Sequence, residues 1–243
     1  SSVGENVEQF ELAIARYTGA QSAIAVSSGT AALHAALYAT GVTQGDEVVT
    51  TPLTFVATCN AISYCGAEPV FVDVDLDTLG LSPQSLGEFL EQHAEVRDDG
   101  LCWNRSSKRV IRACVPVHNL GHPVRIRELD KICAKYNITL IEDAAESLGS
   151  LDRDQHTGRV GLIGVLSFNG NKIITTGGGG ALITDDDLLA KRLKHLTTTA
   201  KKPHPWLFHH DEVGFNYRLP NLNAALGLAQ IAQLDAFVTQ KRE

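Results

Sequence analysis

Lys172 stands between a short apolar run and four consecutive glycines in LSFNGNKIITTGGGGALIT, residues 166–184. One amine fixed among glycines is suited to forming an imine with a carbonyl compound, although a solvated lysine in a turn is the other reading of the same residues. Asp143 closes the apolar run ITLIED, and Ala144 and Ala145 after it leave room for something flat. A carboxylate there can hold a proton on a ring nitrogen, because a buried ion pair favours the charged form of both partners. It can equally cap the next turn. Glu146 follows three residues after Asp143 and can face the same ligand. Ser27-Ser28-Gly29-Thr30 lies between a small-residue run and an alanine-rich one. Free amides at such a helix start, with the Thr30 hydroxyl, make an anion or phosphate site, and plain helix capping is the alternative. Neither Walker nor GxGxxG spacing is present, which speaks against a dinucleotide fold. Glycines 177–180 can line a phosphate or let the backbone pass close and turn; the second is favoured.

These residues need elements to carry them. The imperfect helical spacing of Val7, Phe10, Leu12, Ile14 and Tyr17 predicts a helix before the strand SAIAV. DEVVTTP and EPVFVDVD read as strands, with the helix TFVATCNAISYC between them closed by Gly66. Ser82 and Pro83 open a helix as N-cap and first residue. Residues 96–108 and 197–220 read as loops, and one long helix is expected from Asn221 onward. RVIRACVPVH, ITLIED, LIGVLSF and GALIT are further strands, and IRELDKICAKYN and DDLLAKRLKHL further helices. Short strands alternating with helices predict an α/β fold with a mostly parallel central sheet. Ligands in such sheets sit at the carboxyl ends of strands. The residues just past each apolar run are Ser28-Gly29-Thr30, Thr54-Phe55, Val117-His118, Glu142-Asp143, Ser167 and Lys172, and one site is expected to collect them.

With 243 residues, 44% of them hydrophobic, the chain can bury a substantial core. A net charge of -7 and the lack of a basic cluster argue against a general nucleic-acid binder. Five cysteines without a CxxC pair read as buried or incidental thiols of a reducing compartment. No apolar run is long enough to span a membrane, and a cytoplasmic location is expected. The aspartates of DVDLD miss the glycine and glutamate of a calcium loop. Neither His118 and His122 nor the loop histidines 204, 209 and 210 have zinc-site spacing, so no metal is expected.

Taken together and in order, SSGTAAL, PLTFVATCNAI, GAEPVFVDVD, LIEDAAESLGS, LSFNGNKIITTGGGGAL and VGFNYRLPNLNAALGLAQ closely resemble the DegT/DnrJ/EryC1/StrS family of nucleotide-sugar aminotransferases. The resemblance runs over nearly the whole chain. It implies the type I, aspartate-aminotransferase-like fold and pyridoxal 5′-phosphate as cofactor. HTG with LSFNGNKIITTGGGG, and LTTTAKKPHPWLFHHDEVGFNYRLPN, look most like the members of the legionaminic-acid or bacillosamine type.

Residue by residue, the resemblance implies that Lys172 holds the cofactor as an imine and later shuttles the substrate proton. Asp143 would pair with the pyridinium nitrogen and Phe55 would stack on the ring. Gly29, Thr30 and Ser167 would cradle the phosphate. Glu146 would lie near the cofactor's phenolic oxygen or the substrate. Asn216, in FNYR, would reach the phosphate of a neighbouring subunit, implying a homodimer with shared sites, and Arg218 would support that loop. Relatives that act as dehydratases carry histidine at the lysine position, so Lys172 favours aminotransfer from L-glutamate to a nucleotide-linked 4-keto-6-deoxy sugar. A catalytically altered or inactive relative is the alternative, as is a nucleotide-binding module without transamination. The family's chains are longer. Residues 1–243 are therefore expected to be the cofactor-binding large domain, incomplete at its N-terminus and lacking the small C-terminal domain.

Overall fold

The computed structural model describes residues 4–243. Helix α1 (Glu5–Thr18) ends where Gly19 takes a φ of 74°, a left-handed conformation that glycine adopts without strain. It leads into β1 (Ser22–Val26) and then α2 (Gly29–Ala39), whose N-cap Ser28 accepts a hydrogen bond from the Ala31 amide. Next come β2 (Glu47–Thr50), α3 (Ala57–Tyr64), β3 (Glu68–Phe71) and α4 (Pro83–His93). In α4, Ser82 caps the Ser85 amide and Pro83 occupies the first turn, as its sequence predicts. The hairpin β4 (Ala94–Val96) and β5 (Cys102–Asn104) precedes β6 (Ile111–Cys114), α5 (Ile126–Lys135) and β7 (Thr139–Asp143). A two-stranded ribbon, β8 (Leu151–Asp152) and β9 (Gln155–His156), is followed by β10 (Ile163–Ser167) and β11 (Gly180–Thr184). Helices α6 (Asp187–Thr197), α7 (Asn221–Ile231) and α8 (Leu234–Arg242) complete the chain, α6 capped by the Asp186 side chain.

Seven strands form the central sheet in the order β1-β11-β10-β7-β6-β2-β3. β11 runs antiparallel to both its neighbours, and the other pairs, from β10 through β3, are parallel. β2, β10 and β11 are buried along their whole length, and β10 and β11 read as nearly continuous apolar runs rather than alternating ones. The period of two sorts their side chains onto two faces. Ile24, Val26, Ile141, Val165 and Leu182 pack beneath α2 and α6. Their chain neighbours Ala25, Leu166, Ala181 and Ile183 pack on the opposite face with Phe10 and Ile14 of α1 and Ala224 of α7. A third cluster joins Val49, Ile111, Cys114 and Leu140 to Leu86 and Leu90 of α4 and to Leu129 of α5. Cys102, Cys114 and Cys133 are buried there as free thiols, and no described helix is long and apolar enough to cross a membrane.

Two expectations require correction. The stretch 96–108 is not all loop: it holds strand β5, paired with β4 across an Asp99-Gly100 turn. Asp99 accepts hydrogen bonds from the Leu101 amide and the Trp103 indole, and Gly100 has a φ of 77°. That aspartate–glycine pair is the turn signal. The helix from Asn221 is broken at Ala232-Gln233, where the Gln233 amide bonds the Gln230 carbonyl, three residues back. This tighter turn redirects the chain and buries Leu234 completely in the core.

Gly164 in β10 is the tightest backbone approach with a consequence for the site. A Cβ there would lie 2.1 Å from the Gly158 carbonyl oxygen and 2.6 Å from its Cα. The loop around Gly158 is thereby pressed directly onto the sheet. Gly164→Ala is expected to lower the unfolding free energy by about 2–3 kcal/mol through overpacking. Urea unfolding measures this, and an unchanged midpoint would contradict the packing described.

Candidate functional site

Strand ends collect a cavity of about 280 Å³. Ser28, Gly29 and Thr30 line it from the start of α2, Thr54 and Phe55 from the segment after β2, and Asp143, Ala145 and Glu146 from the end of β7. Ser167 closes β10, and Lys172 follows on the next loop. A wider groove of about 610 Å³ adjoins, sharing Ala145, Glu146, Ser167, Asn171 and Lys172. The smaller cavity holds the converging polar groups, the arrangement typical of a small-molecule site.

Its anion end is built by α2. Ser28 satisfies the Ala31 amide with its hydroxyl and the Ala32 amide with its carbonyl. The amides of Gly29 and Thr30 have no carbonyl one turn back to bind, and they carry the positive end of the helix dipole. A Cβ on Gly29 would lie 3.0 Å from Ser167 Cβ and 3.2 Å from its hydroxyl. The missing side chain therefore lets Ser167 come up against the helix start, so that its hydroxyl and the first turn of α2 line the same end of the cavity, an arrangement suited to an anion. Glycines 177–180 do not line the cavity. Gly177 has a φ of 76°, and a Cβ on Gly180 would meet the Ser28 carbonyl at 2.6 Å, so the run shapes the loop from behind.

Asp143 is the acidic end. Its Oδ2 accepts from the Thr58 hydroxyl at 2.7 Å and its Oδ1 from the Ala145 amide at 3.2 Å. Burial is the largest influence and pushes the carboxyl up, against these hydrogen bonds and the charge of Lys172. This carboxylate is under-compensated, and a cationic N–H donor would supply the charge it lacks. Thr58, the second residue of α3, is not singled out by the sequence, nor is Asn119, whose side chain donates to the Leu53 and Leu79 carbonyls. A hydroxyl inside a helix and an asparagine in a turn carry no periodic signal.

Lys172 Nζ lies 3.0 Å from Glu146 Oε1, with only 14% of the lysine side chain exposed. Burial raises the Glu146 carboxyl, but hydrogen bonds from Lys172 and the Leu120 amide outweigh it and hold the group below the usual carboxylate range. Phe55 edges the cavity while remaining 72% exposed.

Two expected members are not there. Glu142 and His118 point away, because adjacent residues of a strand face opposite sides. Glu142 accepts hydrogen bonds from the amides of Gly158, Val160 and Gly161 and from His118 Nε2 at 2.8 Å. The Val124 amide donates to His118 Nδ1, so the ring proton sits on Nε2. Asn216, expected to serve a neighbouring subunit's site, is exposed on the loop before α7 and bridged to Thr198. Arg218 donates to the Thr198 carbonyl beside it. Away from the cavity, His195 meets Asp211 and Glu212, but Arg192 pairs with Glu212 and Lys202 lies 3.6 Å from Asp211, so protein cations already compensate this cluster.

The sequence model of the DegT/DnrJ/EryC1/StrS aminotransferase family matches residues 1–243. The chain is 38% identical over 243 residues to GDP-perosamine synthase of Escherichia coli O157:H7, covering 100% of this chain and 62% of that one. The aminotransferase from Psychrobacter cryohalolentis superposes with a TM-score of 0.82 at 32% identity, over 95% of this chain and 56% of that one. The ntda protein of Bacillus subtilis, solved with bound cofactor PMP, gives a TM-score of 0.81 at 29% identity, over 96% and 49% of the respective chains. The fold is that of the type I aminotransferases, and the chain spans roughly half to three-fifths of these relatives' length.

The separation of the two carboxylates can be tested without a ligand. Burial raises Glu142, but His118 and the Gly161 and Gly158 amides outweigh it, and its carboxyl is held below the ordinary value. A depressed carboxyl stabilises the fold above its unfolded value near about pH 4.3, and that contribution is lost as pH falls through the folded value. Glu142→Gln is expected to cost about 3 kcal/mol at pH 7 by leaving buried amides unpaired. It should also flatten the loss of stability between about pH 5 and pH 3. Urea midpoints across that range give the answer, and a variant as acid-sensitive as the parent would contradict the assignment.

Proposed function

The chain belongs to the DegT/DnrJ/EryC1/StrS aminotransferase family, and from that premise we propose that it is the pyridoxal-phosphate-binding large domain of a nucleotide-sugar aminotransferase. The observation that carries this reading is the convergence of Lys172, Asp143 and the α2 N-terminus with Ser167 on one cavity. The α2 N-terminus with the Ser167 hydroxyl suits the phosphate, the buried Asp143 suits the ring nitrogen, and Phe55 suits one face of the ring. When bound, pyridoxal phosphate supplies an electron sink.

The protein's own groups do the rest. Lys172 holds the cofactor through Nζ, and once released takes the α-proton of L-glutamate and returns a proton on the other side of the transfer. Asp143, fixed by Thr58 and the Ala145 amide, keeps the ring nitrogen protonated. Thr58 thus acts on the chemistry only through Asp143. The acceptor in this reading is the C4 ketone of a 4-keto-6-deoxy sugar on a nucleotide, UDP in the legionaminic-acid or bacillosamine type. The motifs around Lys172 and in the 197–220 loop support that choice. The exposed Asn216 supports a homodimer in which each subunit reaches the other's phosphate. A cytoplasmic location goes with this reading.

The test uses the full-length protein, with L-glutamate and a UDP-linked 4-keto-6-deoxyhexose. The parent should convert the ketone to an amine, read as a mass change of the sugar nucleotide. Lys172→Ala should abolish transfer while still binding cofactor non-covalently. Asp143→Asn should slow α-proton loss from glutamate on the order of 10²-fold or more, followed as exchange of deuterium at that carbon. Full transfer by Lys172→Ala would overturn the reading.

A further inference from the structure

Glu146 reaches Lys172 by a route that the cofactor site does not require. Its carboxylate is held at both oxygens: Oε1 takes Lys172 Nζ at 3.0 Å, and Oε2 takes the Leu120 backbone amide at 3.0 Å. Leu120 has φ 53° and ψ 21°, a left-handed conformation that non-glycine residues rarely adopt, while its own side chain is 75% exposed. No apolar packing of that side chain accounts for the strain.

The turn is fixed on several sides. Asn119 donates to the Leu53 and Leu79 carbonyls, the Gly121 amide bonds the His118 carbonyl, and Ser150 donates to the Gly121 carbonyl. The result aims one backbone N–H at Glu146 and so aims Glu146 at Lys172. The other titratable or charged groups nearby are Asp143 in the cavity and His122, Lys241 and Arg242 along the adjoining groove. Asp143 is engaged by Thr58 and Ala145, and Arg242 donates to the Gly149 carbonyl. Among the described residues, Glu146 is the carboxylate paired with Lys172.

We propose that Glu146, oriented by the strained Leu120 turn, is the counter-charge that receives Lys172 whenever its amine is free, fixing Nζ beside the cavity and stabilising the positive charge it gains on taking a proton. A base that becomes cationic in the transition state is helped by a carboxylate already in place, which need not reorganise as the charge appears. Glu146 is in this sense a positioning residue: it acts through Nζ. The catalytic half of the inference rests on the proposed function. The pairing itself does not.

The pairing is therefore tested first on the chain without cofactor. Lysines are acetylated at pH 8 with limiting reagent, and modification of Lys172 is quantified by peptide mass spectrometry relative to the exposed Lys131 on α5. Glu146→Gln keeps the shape and an oxygen for the Leu120 amide but removes the charge. It should raise the Lys172 rate about fivefold relative to Lys131, because the amine loses the ion pair that occupies it. Equal rates in parent and variant would overturn the inference, whatever cofactor does. In the loaded full-length protein, Glu146→Gln should slow the glutamate half-reaction on the order of tenfold, with cofactor affinity within about twofold. Weakened cofactor binding with an unchanged half-reaction would also overturn it. Failure of Lys172 to hold cofactor in the parent would instead sink the proposed function and leave the acetylation result standing.

Discussion

Two adjacent carboxylates end strand β7, and the alternation of a strand sends them to opposite faces of the sheet. Everything at the site follows from that division. Glu142 is completely buried among three amides and an imidazole, which satisfy its charge without solvent. Asp143 is also buried, but a hydroxyl and one amide are its partners and it opens into the cavity. One carboxylate holds the loop that follows β9 against the sheet. The other is left to face a ligand. Had the register slipped by one residue, the two carboxylates would change faces and Asp143 would leave the cavity.

The remaining pieces are set by close approaches of backbone. Gly29 lets the α2 N-terminus come up to Ser167, Gly180 lets β11 pass behind Ser28, and Gly164 seats the Gly158 loop that Glu142 holds. These contacts tie the anion end, the sheet and the carboxylate pair together. The strained Leu120 and the exposed Phe55 lie at the rim instead. A site built on strand ends and a helix start, with its lysine on the next loop, sets its acid and its anion end on regular elements and its amine on a loop.

Much of this is legible in the residues. Strand ends followed by SSGT, ED and the lysine loop announce a parallel α/β sheet with one site, because apolar runs and caps are local signals. Lys172, Asp143, Gly29, Thr30, Phe55, Glu146 and Ser167 do line one cavity. Glu142 and His118 read as part of the same site because their position at a strand end is visible in sequence, whereas the face they point to depends on register across the sheet. Thr58, Asn119 and the left-handed Leu120 are silent in the sequence because their roles are hydrogen bonds between residues distant in the chain, such as the 85 positions separating Thr58 from Asp143. The bend before Leu234 is hidden for a related reason: local propensity favours one helix, and burial of Leu234 breaks it.

Lys172 is the amine that serves the cavity defined by Asp143 and the α2 N-terminus, and every role assigned to the neighbouring groups depends on it. Borohydride reduction of the protein after incubation with pyridoxal phosphate, followed by mass spectrometry of the peptide containing Lys172, measures this without further assumption. A single fixed adduct is expected, on Lys172, and it should disappear in Lys172→Ala. An adduct spread over the surface lysines, or fixed on another residue of the full-length protein, would contradict that assignment.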